Sequence, residues 1–296
     1  KITGKYSEDI YIAAKEGNGK WRDPEPFRYN TAMNEAPLFI SPDGLTFYFS
    51  ITKGNNSDIY QSNFKDGVWN KPNPLSDINS SYNENGMSIS ADGKYLYFSS
   101  DRQGGIGKFD IYKCEKKSNG KWGTPQNLGA PVNTPFNEIS PFINPNGKTL
   151  FFSSNGSLNQ GMGGYDVYYS ELKDDNATWN DPQTMGYPIN KTKDDINYYI
   201  TSGGKRYYAC INEEKSYDLY EIEGGGFNVE NIDAGTEVVT LTKEMNVTEV
   251  METEKQVEKE VEVVQTVETE VEVVKEVEVN NAKDSIKEPE INVEAI

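Results

Sequence analysis

The feature that most constrains the fold is an internal repeat of about 50 residues. Each unit contains an apolar segment, a short turn and an aromatic segment such as F-Y-F, Y-L-Y-F or L-F-F. The turn residues recur at nearly this interval, and they are Asp43, Asp92, Asn146 and Gly203. Asp or Asn followed by Gly accepts the backbone of a tight hairpin, and alternating aromatic and β-branched residues favour strands over helices.

Two further positions recur along the repeat. A D-I-Y, D-V-Y or D-L-Y motif begins at Asp9, Asp58, Asp110, Asp166 and Asp218. All tryptophans of the chain follow such a motif at a nearly constant distance, and they are Trp21, Trp69, Trp122 and Trp179. We assign the aspartate motif to the third strand of a unit and the tryptophan to the fourth. Four-stranded antiparallel units at this period predict an all-β fold, a β-propeller of about five blades.

The recurring residues indicate structural roles, because an active site is normally built once and not in every unit. We expect turn hydrogen bonds from Asp43, Asp92 and Asn146. We expect structural hydrogen bonds at the start of the third strands and buried packing of the tryptophans. The third-strand residues are Asp58, Asp110, Asp166 and Asp218, and the tryptophans are Trp21, Trp69, Trp122 and Trp179. No calcium-loop pattern occurs, and we expect neither a metal ion nor a cofactor.

The composition changes near the end of the repeat, which divides the chain into two regions. We predict a propeller over 1–228 and an acidic Val/Glu-rich extended tail or linker over 229–296. The segment 233–296 contains 18 acidic and 6 basic residues, and no aromatic residue follows Phe227. Like charges at this density favour an extended segment. A short strand within 236–250 that completes the propeller is the alternative.

Charge and composition exclude several classes of function. The formal net charge is −18, which opposes nucleic-acid binding by phosphate neutralisation. The chain has no histidine, so Ser-His-Asp catalysis and His-ligated zinc are not available to it. No run of about 18 apolar residues occurs, so we expect no direct insertion into a membrane.

Two loops between the second and third strands are longer than the others. The spacing from the turn residue to the following D-x-Y motif is larger in the units of Asp92 and Asn146 than in those of Asp43 and Gly203. The two long loops, 101–108 and 155–164, are polar and open on one face of a propeller, where binding residues are commonly placed. Ordinary variation in loop length explains them equally well. The candidate binding residues are Asp101, Arg102, Gln103, Lys108, Asn155, Asn159, Gln160 and Met162.

The repeat resembles the WD-like propeller repeats of the TolB type over residues 7–224. The motifs that carry the resemblance are S-P-D-G at 41–44, A-D-G-K at 91–94 and N-P-N-G at 144–147, each followed by an aromatic strand and D-x-Y. The stretch S-S-D-R-Q-G-G-I-G-K-F-D-I-Y from Ser99 is similar to propellers of Bacteroidetes envelope proteins of the outer-membrane-protein-A family. The fourth turn, S-G-G-K at 202–205, departs from the pattern because it lacks the Asp.

This resemblance implies a non-enzymatic protein-protein interaction scaffold in the periplasm, associated with the outer membrane and with type IX secretion. The expected partners are envelope or outer-membrane proteins, with peptidoglycan bound only through a domain outside this chain. The alternative is a carbohydrate-binding or glycan-processing propeller. It requires Trp or Tyr side chains at the channel mouth, and carboxylates are plentiful enough to supply a catalytic pair. With only four arginines, a sialidase-like arginine triad would need three of them to converge.

Overall fold

The computed structural model describes residues 8–14, 20, 22–156, 161–173, 178–201, 204–211 and 217–222. Within these ranges the regular secondary structure consists of strands, and no helix long and apolar enough to cross a membrane occurs there. A short N-terminal ribbon pairs β1 (Tyr11–Ile12) with β2 (Glu25–Pro26). The predicted tail, 229–296, and Trp21 lie outside the described residues.

Four antiparallel blades follow the ribbon among the described residues. Blade 1 comprises β3 (Asn34–Ile40), β4 (Thr46–Lys53), β5 (Asn56–Lys65), β6 (Val68–Trp69) and β7 (Asn73–Pro74). Blade 2 comprises β8 (Glu84–Ile89), β9 (Tyr95–Ser100), β10 (Asp110–Glu115) and β11 (Gln126–Asn127). Blade 3 comprises β12 (Glu138–Ile143), β13 (Thr149–Ser154), β14 (Asp166–Glu171) and β15 (Gln183–Thr184). Blade 4 comprises β16 (Asp195–Ile200), β17 (Arg206–Ile211) and β18 (Tyr217–Ile222). The predicted all-β propeller of antiparallel blades is confirmed, with four blades among the described residues where about five were predicted. Blades 2 and 3 have the predicted four strands.

The hairpin between the first and second strands of each blade is held by the residue that the repeat places there. In blade 1, Asp43 Oδ1 accepts hydrogen bonds from the Ser41 hydroxyl and from Leu45 N–H. In blade 2, Asp92 makes the same two contacts with Ser90 and Lys94. Asn146 accepts from Lys148 N–H at 2.8 Å in blade 3. These short polar side chains close the turns locally, which is why the motif recurs with so little change.

The hydrophobic core lies between neighbouring blades. One cluster joins Phe39 and Ile59 of blade 1 to Leu96 and Phe98 of blade 2. A second cluster joins Tyr97 and Ile111 of blade 2 to residues of blade 3, which are Leu150, Phe152, Tyr168 and Trp179. Successive residues of the second strand point to opposite faces of the sheet, and both faces are covered by a blade. Both faces are therefore apolar, and the aromatic segments read as continuous hydrophobic runs.

The tryptophans are placed differently from the sequence prediction. Trp122 pairs with Lys116 and Trp179 pairs with Leu172 in isolated bridges, and Trp69 lies in β6 opposite Phe64. In blades 2 and 3 the fourth strands come a few residues later, where a short segment pairs with the third strand. The assignment of the tryptophan to the fourth strand was therefore wrong in blades 2 and 3, whereas in blade 1 Trp69 lies in β6, the fourth strand in the order β3-β4-β5-β6. The third strand runs on into a short hairpin, and the tryptophan belongs to that hairpin.

The first strands of neighbouring blades approach closely at a repeated β-bulge. The register shifts after Asn85 in β8 and after Ile139 in β12. Gly86, within the first bulge, has φ of 50°, and a Cβ there would lie 2.9 Å from the backbone of Ser140. Only glycine fits both the left-handed backbone and this contact. Ile143 N–H also donates to Ser88 Oγ at 3.0 Å, which ties the two strands together.

Candidate functional site

The connectors that lead into the first strands share a sequence pattern that sequence reasoning did not identify. An Asn is followed five residues later by a carboxylate in the segments 30–35, 79–84, 133–138 and 190–195. Asn133 accepts from Ile111 N–H at 2.8 Å and donates to Ile111 C=O at 2.9 Å. Asn79 makes the same pair of bonds with Ile59. The side-chain amide thus pairs with the preceding blade as a strand would and anchors the connector.

The carboxylate at the end of each connector is buried and binds the connector itself. Glu138 is fully buried, and it accepts hydrogen bonds from Thr134 N–H at 2.9 Å, Thr134 Oγ1 at 2.6 Å and Ser154 Oγ at 2.8 Å. Burial raises the pKa of Glu138 above the usual value for a glutamate. Glu84 is also fully buried and makes the same contacts with Ser80 and Ser100. The recurrence of N-E in the repeat was the signal that could have identified these residues.

Arg102, a predicted binding residue, lies inside blade 2. Its guanidinium donates to Glu84 Oε1 at 2.9 Å and to the Ile78 carbonyl at 2.7 Å. The same group lies over the rings of Phe98 and Tyr112, at 4.9 and 5.0 Å from their centroids. Its charge is therefore used within the blade, so a ligand would have to compete with a buried carboxylate for it.

In both long loops, the residues just before the third strand bind the aspartate that starts it. Asp110 accepts from Ile106 N–H at 2.5 Å and Gly107 N–H at 3.0 Å. Asp166 accepts from Met162 N–H at 2.8 Å and from Gly163 N–H at 3.2 Å. Both aspartates are buried, whereas Asp58 is partly exposed beside a short hairpin and Asp218 is exposed. The first residue of the third strand therefore holds the end of the loop that precedes it.

The other predicted loop residues fall into two groups. Asp101 and Asn155 occupy equivalent positions and accept hydrogen bonds from the backbone N–H groups of Asn83 and Asn137, respectively. Gln103, Lys108 and Met162 are exposed, and the last is 43% accessible. Asn159 and Gln160 lie outside the described residues.

Apolar side chains occupy one position of successive connectors. Three residues after the anchoring Asn lie Met33, Tyr82 and Phe136, and the fourth connector has Lys193 there. Tyr82 is 39% and Phe136 51% exposed, and Met33 is half-buried. First strands begin and second strands end at this end of the blades, so the connectors and long loops lie together. We call this surface, which consists of residues 30–35, 79–84, 101–108, 133–138, 161–164 and 190–195, the loop face.

A polar cluster adjoins the loop face where blade 3 meets blade 4. Tyr165 N–H donates to Asp194 Oδ1 at 2.9 Å, and the Tyr217 hydroxyl donates to Asp194 Oδ2 at 3.4 Å. Tyr217 is 47% exposed, and burial and Asp194 both raise its pKa. The cluster presents the Asp194 carboxylate next to the hydroxyl group and the aromatic ring of Tyr217.

Beneath this cluster, two carboxylates lack part of their hydrogen bonding. Asp166 and Asp195 are almost fully buried, and the Oδ1 atom of each has no hydrogen-bond partner. Burial raises the pKa of both groups. Asp195 is one methylene shorter than the glutamates of blades 2 and 3 and faces Cys210, where blade 3 has Ser154. A thiol is a weaker donor than a hydroxyl. No group of three or more acidic or Cys side chains suited to a metal ion occurs among the described residues.

Asp195→Asn is expected to be more stable than wild type at neutral pH, and this gain is expected to be smaller at acidic pH. A raised pKa means that the native state binds the proton more tightly than the unfolded state. In the wild type, Asp195 contributes stability at pH values below its pKa in the unfolded state. This contribution is lost as the pH rises through its higher pKa in the folded state. Urea unfolding of Asp195→Asn and wild type at about pH 4 and about pH 7 measures the difference.

Asp43→Asn is the matched control for this prediction. Hydrogen bonds from Ser41 and Leu45 lower the pKa of Asp43, so its contribution to stability has the opposite pH dependence. The Asn variant should therefore lose stability relative to wild type as pH rises. A gain for Asp195→Asn that does not change between the two pH values would contradict the assignment.

No protein-family model and no curated protein sequence matches this chain. Solved structures share its fold at low identity. A protein assigned as TolB from Agrobacterium tumefaciens is 18% identical, with a TM-score of 0.42 over 67% of this chain and 68% of that one. The endo-arabinase from Bacteroides thetaiotaomicron is 12% identical, with a TM-score of 0.45 over 76% and 98%. The α-L-arabinofuranosidase from Lactobacillus brevis is 14% identical, with a TM-score of 0.45 over 68% and 78%.

These comparisons correct two sequence-based expectations. The TolB-like propeller is confirmed at the level of the fold. The comparisons contradict the expectation of a non-enzymatic scaffold, since an endo-arabinase, an α-L-arabinanase and α-L-arabinofuranosidases are among the propellers that share this fold. The exclusion of enzymatic activity was wrong for the same reason. A propeller of four-stranded blades hosts enzymes and binding proteins alike, so the function has to be argued from the site itself.

Proposed function

We propose that the chain is a carbohydrate-binding or glycan-processing propeller that recognises its ligand on the loop face. The observation that carries the proposal is the apolar side chain at the same position of three successive connectors, two of them exposed aromatics. These residues are Met33, Tyr82 and Phe136. Each is held at the tip of a connector that is anchored by an Asn and a buried carboxylate. Exposed aromatic residues on a rigid frame are typical of binding surfaces.

The chemistry of a sugar matches this surface. The C–H face of a sugar ring packs against an aromatic ring, whose π-face is negative, and its hydroxyl groups need donors and acceptors at the edge. Tyr82 and Phe136 supply the rings, and the cluster of Asp194 and Tyr217 supplies polar groups. Tyr82 is thus an exposed tyrosine on the loop face, and its place at the channel mouth, which the carbohydrate alternative requires, stays a prediction.

The geometry favours binding more strongly than hydrolysis. Glycoside hydrolysis uses two carboxyl groups that flank the scissile bond. Glu84 and Glu138 are buried and hydrogen-bonded within the frame, so they do not reach a surface ligand. Asp194 is the half-buried carboxylate next to the exposed Tyr217. It is the candidate proton donor or acceptor if a bound glycan is cleaved.

The proposal predicts specific glycan binding that depends on Tyr82 and Phe136. Full-length protein on a glycan array identifies the ligand, and titration then gives its affinity. Each alanine variant is expected to bind at least about tenfold more weakly, since buried aromatic anchors contribute more than about 1 kcal/mol each. A hydrolysis screen with wild type and Asp194→Asn tests processing of the same ligand.

Phe64→Ala is the matched control for these variants. Phe64 is 38% exposed but lies at the opposite end of blade 1, next to Trp69. It should bind the glycan as wild type does, and thermal unfolding of all variants checks that they are folded. The proposal would be contradicted if the array showed no specific ligand, or if Phe64→Ala lost as much glycan affinity as the Tyr82 and Phe136 variants.

We also propose that the protein resides in the periplasm in association with the outer membrane. This rests on the resemblance of the repeat to propellers of Bacteroidetes envelope proteins of the outer-membrane-protein-A family. Contacts with envelope proteins, and peptidoglycan binding through a domain outside this chain, stay predictions, as does the link to type IX secretion. Fractionation of native cells tests the location, and recovery of the protein in the cytoplasmic fraction alone would contradict it.

A further inference from the structure

A cavity of about 940 Å³ lies between blades 2 and 3, away from the loop face. It opens beside the end of β10, whereas the loop face lies beside the beginning of that strand. Tyr95, Leu172 and Trp179 contribute aromatic and aliphatic lining. The volume is near the upper end of the range typical of cavities that bind small ligands.

The charge of this cavity is opposite to that of the chain. Lys113, Lys116 and Lys117 line it together with a single carboxylate, Glu115, although the net charge of the protein is −18. In the part of the chain that the structure describes, none of these three lysines forms an ion pair. The lysines therefore outnumber the single carboxylate of the lining, and an anionic ligand would stabilise this excess of positive charge.

The ring of Tyr95 holds Lys113 at the cavity. The Lys113 ammonium lies 3.9 Å from the centroid of that ring. Burial lowers the pKa of Lys113, while the neighbouring Glu115 acts in the opposite direction. The Tyr95 contact orients this positive charge without neutralising it. The Lys116 ammonium lies over Trp122, which belongs to the cluster between blades 1 and 2, so the charge argument for the cavity uses Lys113 and Lys117.

The rest of the lining indicates what kind of anion fits. A single inorganic anion would fill only a small part of the volume. Uncharged hydrogen-bonding side chains line the remainder, and they are Ser118, Asn119, Thr124 and Gln126. Asn127 also lines it, but its amide is hydrogen-bonded to Asp110 and Asn133. Amide and hydroxyl groups of this kind pair with ligand hydroxyls, and the strongly acidic chain disfavours nucleic acid. A ligand that carries carboxylates and many hydroxyl groups satisfies both parts of the lining.

We propose that this cavity, which we call the lysine cavity, binds a carboxylate-bearing oligosaccharide such as a short chain of uronic acids. The lysines bind the carboxylates, the polar side chains bind the hydroxyl groups, and Tyr95 and Leu172 contact the apolar ring faces. The assignment concerns a second surface, distinct from the loop face, and it holds whether or not the loop face binds a neutral glycan.

The test is titration calorimetry of the full chain with trigalacturonic acid and with its methyl ester. The two probes have the same rings and hydroxyl groups and differ in charge. We expect the acid to bind at least about tenfold more tightly than the ester, with an affinity that falls as salt is added. A Lys113→Gln/Lys117→Gln double variant should lose about tenfold in affinity, because it removes the two ammonium groups that the proposal assigns to the carboxylates.

Two control variants show whether the acid binds in the lysine cavity or elsewhere on the protein. Lys65→Gln removes an exposed charge on β5, outside the cavity, and should bind the acid as wild type does. Tyr82→Ala should also bind the acid as wild type does, so the proposal for the loop face and the proposal for the lysine cavity are tested independently. Equal binding of acid and ester, equal loss in Lys65→Gln, or equal binding of poly-glutamate would each overturn the proposal, as would no binding at all. Thermal unfolding checks that each variant is folded.

Discussion

Arg102→Ala is expected to lower the free energy of unfolding by about 3–5 kcal/mol, because it leaves a buried carboxylate without its cation. The Glu84 side chain is fully buried, and Arg102 is its cationic partner at 2.9 Å. The same guanidinium lies over Phe98 and Tyr112, so the substitution also removes packing from the interior of blade 2. Chemical denaturation of the variant and wild type measures the loss.

Two further variants distinguish this structural role from a binding role. Lys108→Ala removes an exposed charge from the same loop and should leave stability unchanged within about 0.5 kcal/mol. Arg102→Lys keeps the charge but not the planar, stacking group, and we expect a loss between those of the other two. An Arg102→Ala variant as stable as Lys108→Ala would show that Arg102 is not required by the frame.

Trp122→Ala is expected to cost about 3–5 kcal/mol, the range for deleting a large buried aromatic side chain. Trp122 is 8% exposed and belongs to the cluster that joins blades 1 and 2. Its backbone N–H also donates to Asp77 Oδ2 at 3.3 Å, and Lys116 lies over its ring. Loss of the indole leaves a cavity at the junction of the two blades.

Trp69→Ala is the matched control, since the sequence places both residues at the same position of the repeat. Trp69 is only half-buried, against Phe47 and Phe64 near the start of the propeller. We expect a clearly smaller loss of stability for it, measured in the same denaturation experiment. Equal losses for the two variants would contradict the burial that distinguishes them.

The repeated elements were predictable because the forces that form them are local. The Asp92–Gly93 turn closes with hydrogen bonds to residues two positions away, and the aromatic segments form strands in every unit. The tryptophan was predicted to be structural, but in blades 2 and 3 it was assigned to the wrong strand. Whether it pairs with the end of the third strand or forms a fourth depends on a hairpin of a few residues, which periodicity does not distinguish.

The candidate site was less predictable because its residues are joined across strands and blades. Arg102 looked like a free loop cation, yet its partner, Glu84, lies far from it along the chain and belongs to another strand. The loop face depends on Tyr82 and Phe136, which the sequence analysis did not select. Their connector pattern is visible in the repeat, but its meaning depends on which side chains the fold buries.

The sequence by itself determined the propeller, its turns and the period of its blades, because hairpins and alternating apolar residues depend on neighbours along the chain. The tertiary structure decided which charges are neutralised and which surfaces are open. Glu84 and Arg102 neutralise one another in the interior, while Lys113 and Lys117 line the lysine cavity without an ion pair, within the part of the chain that is described. Burial and pairing depend on contacts between strands and between blades, and those contacts exist only once the blades have packed against one another.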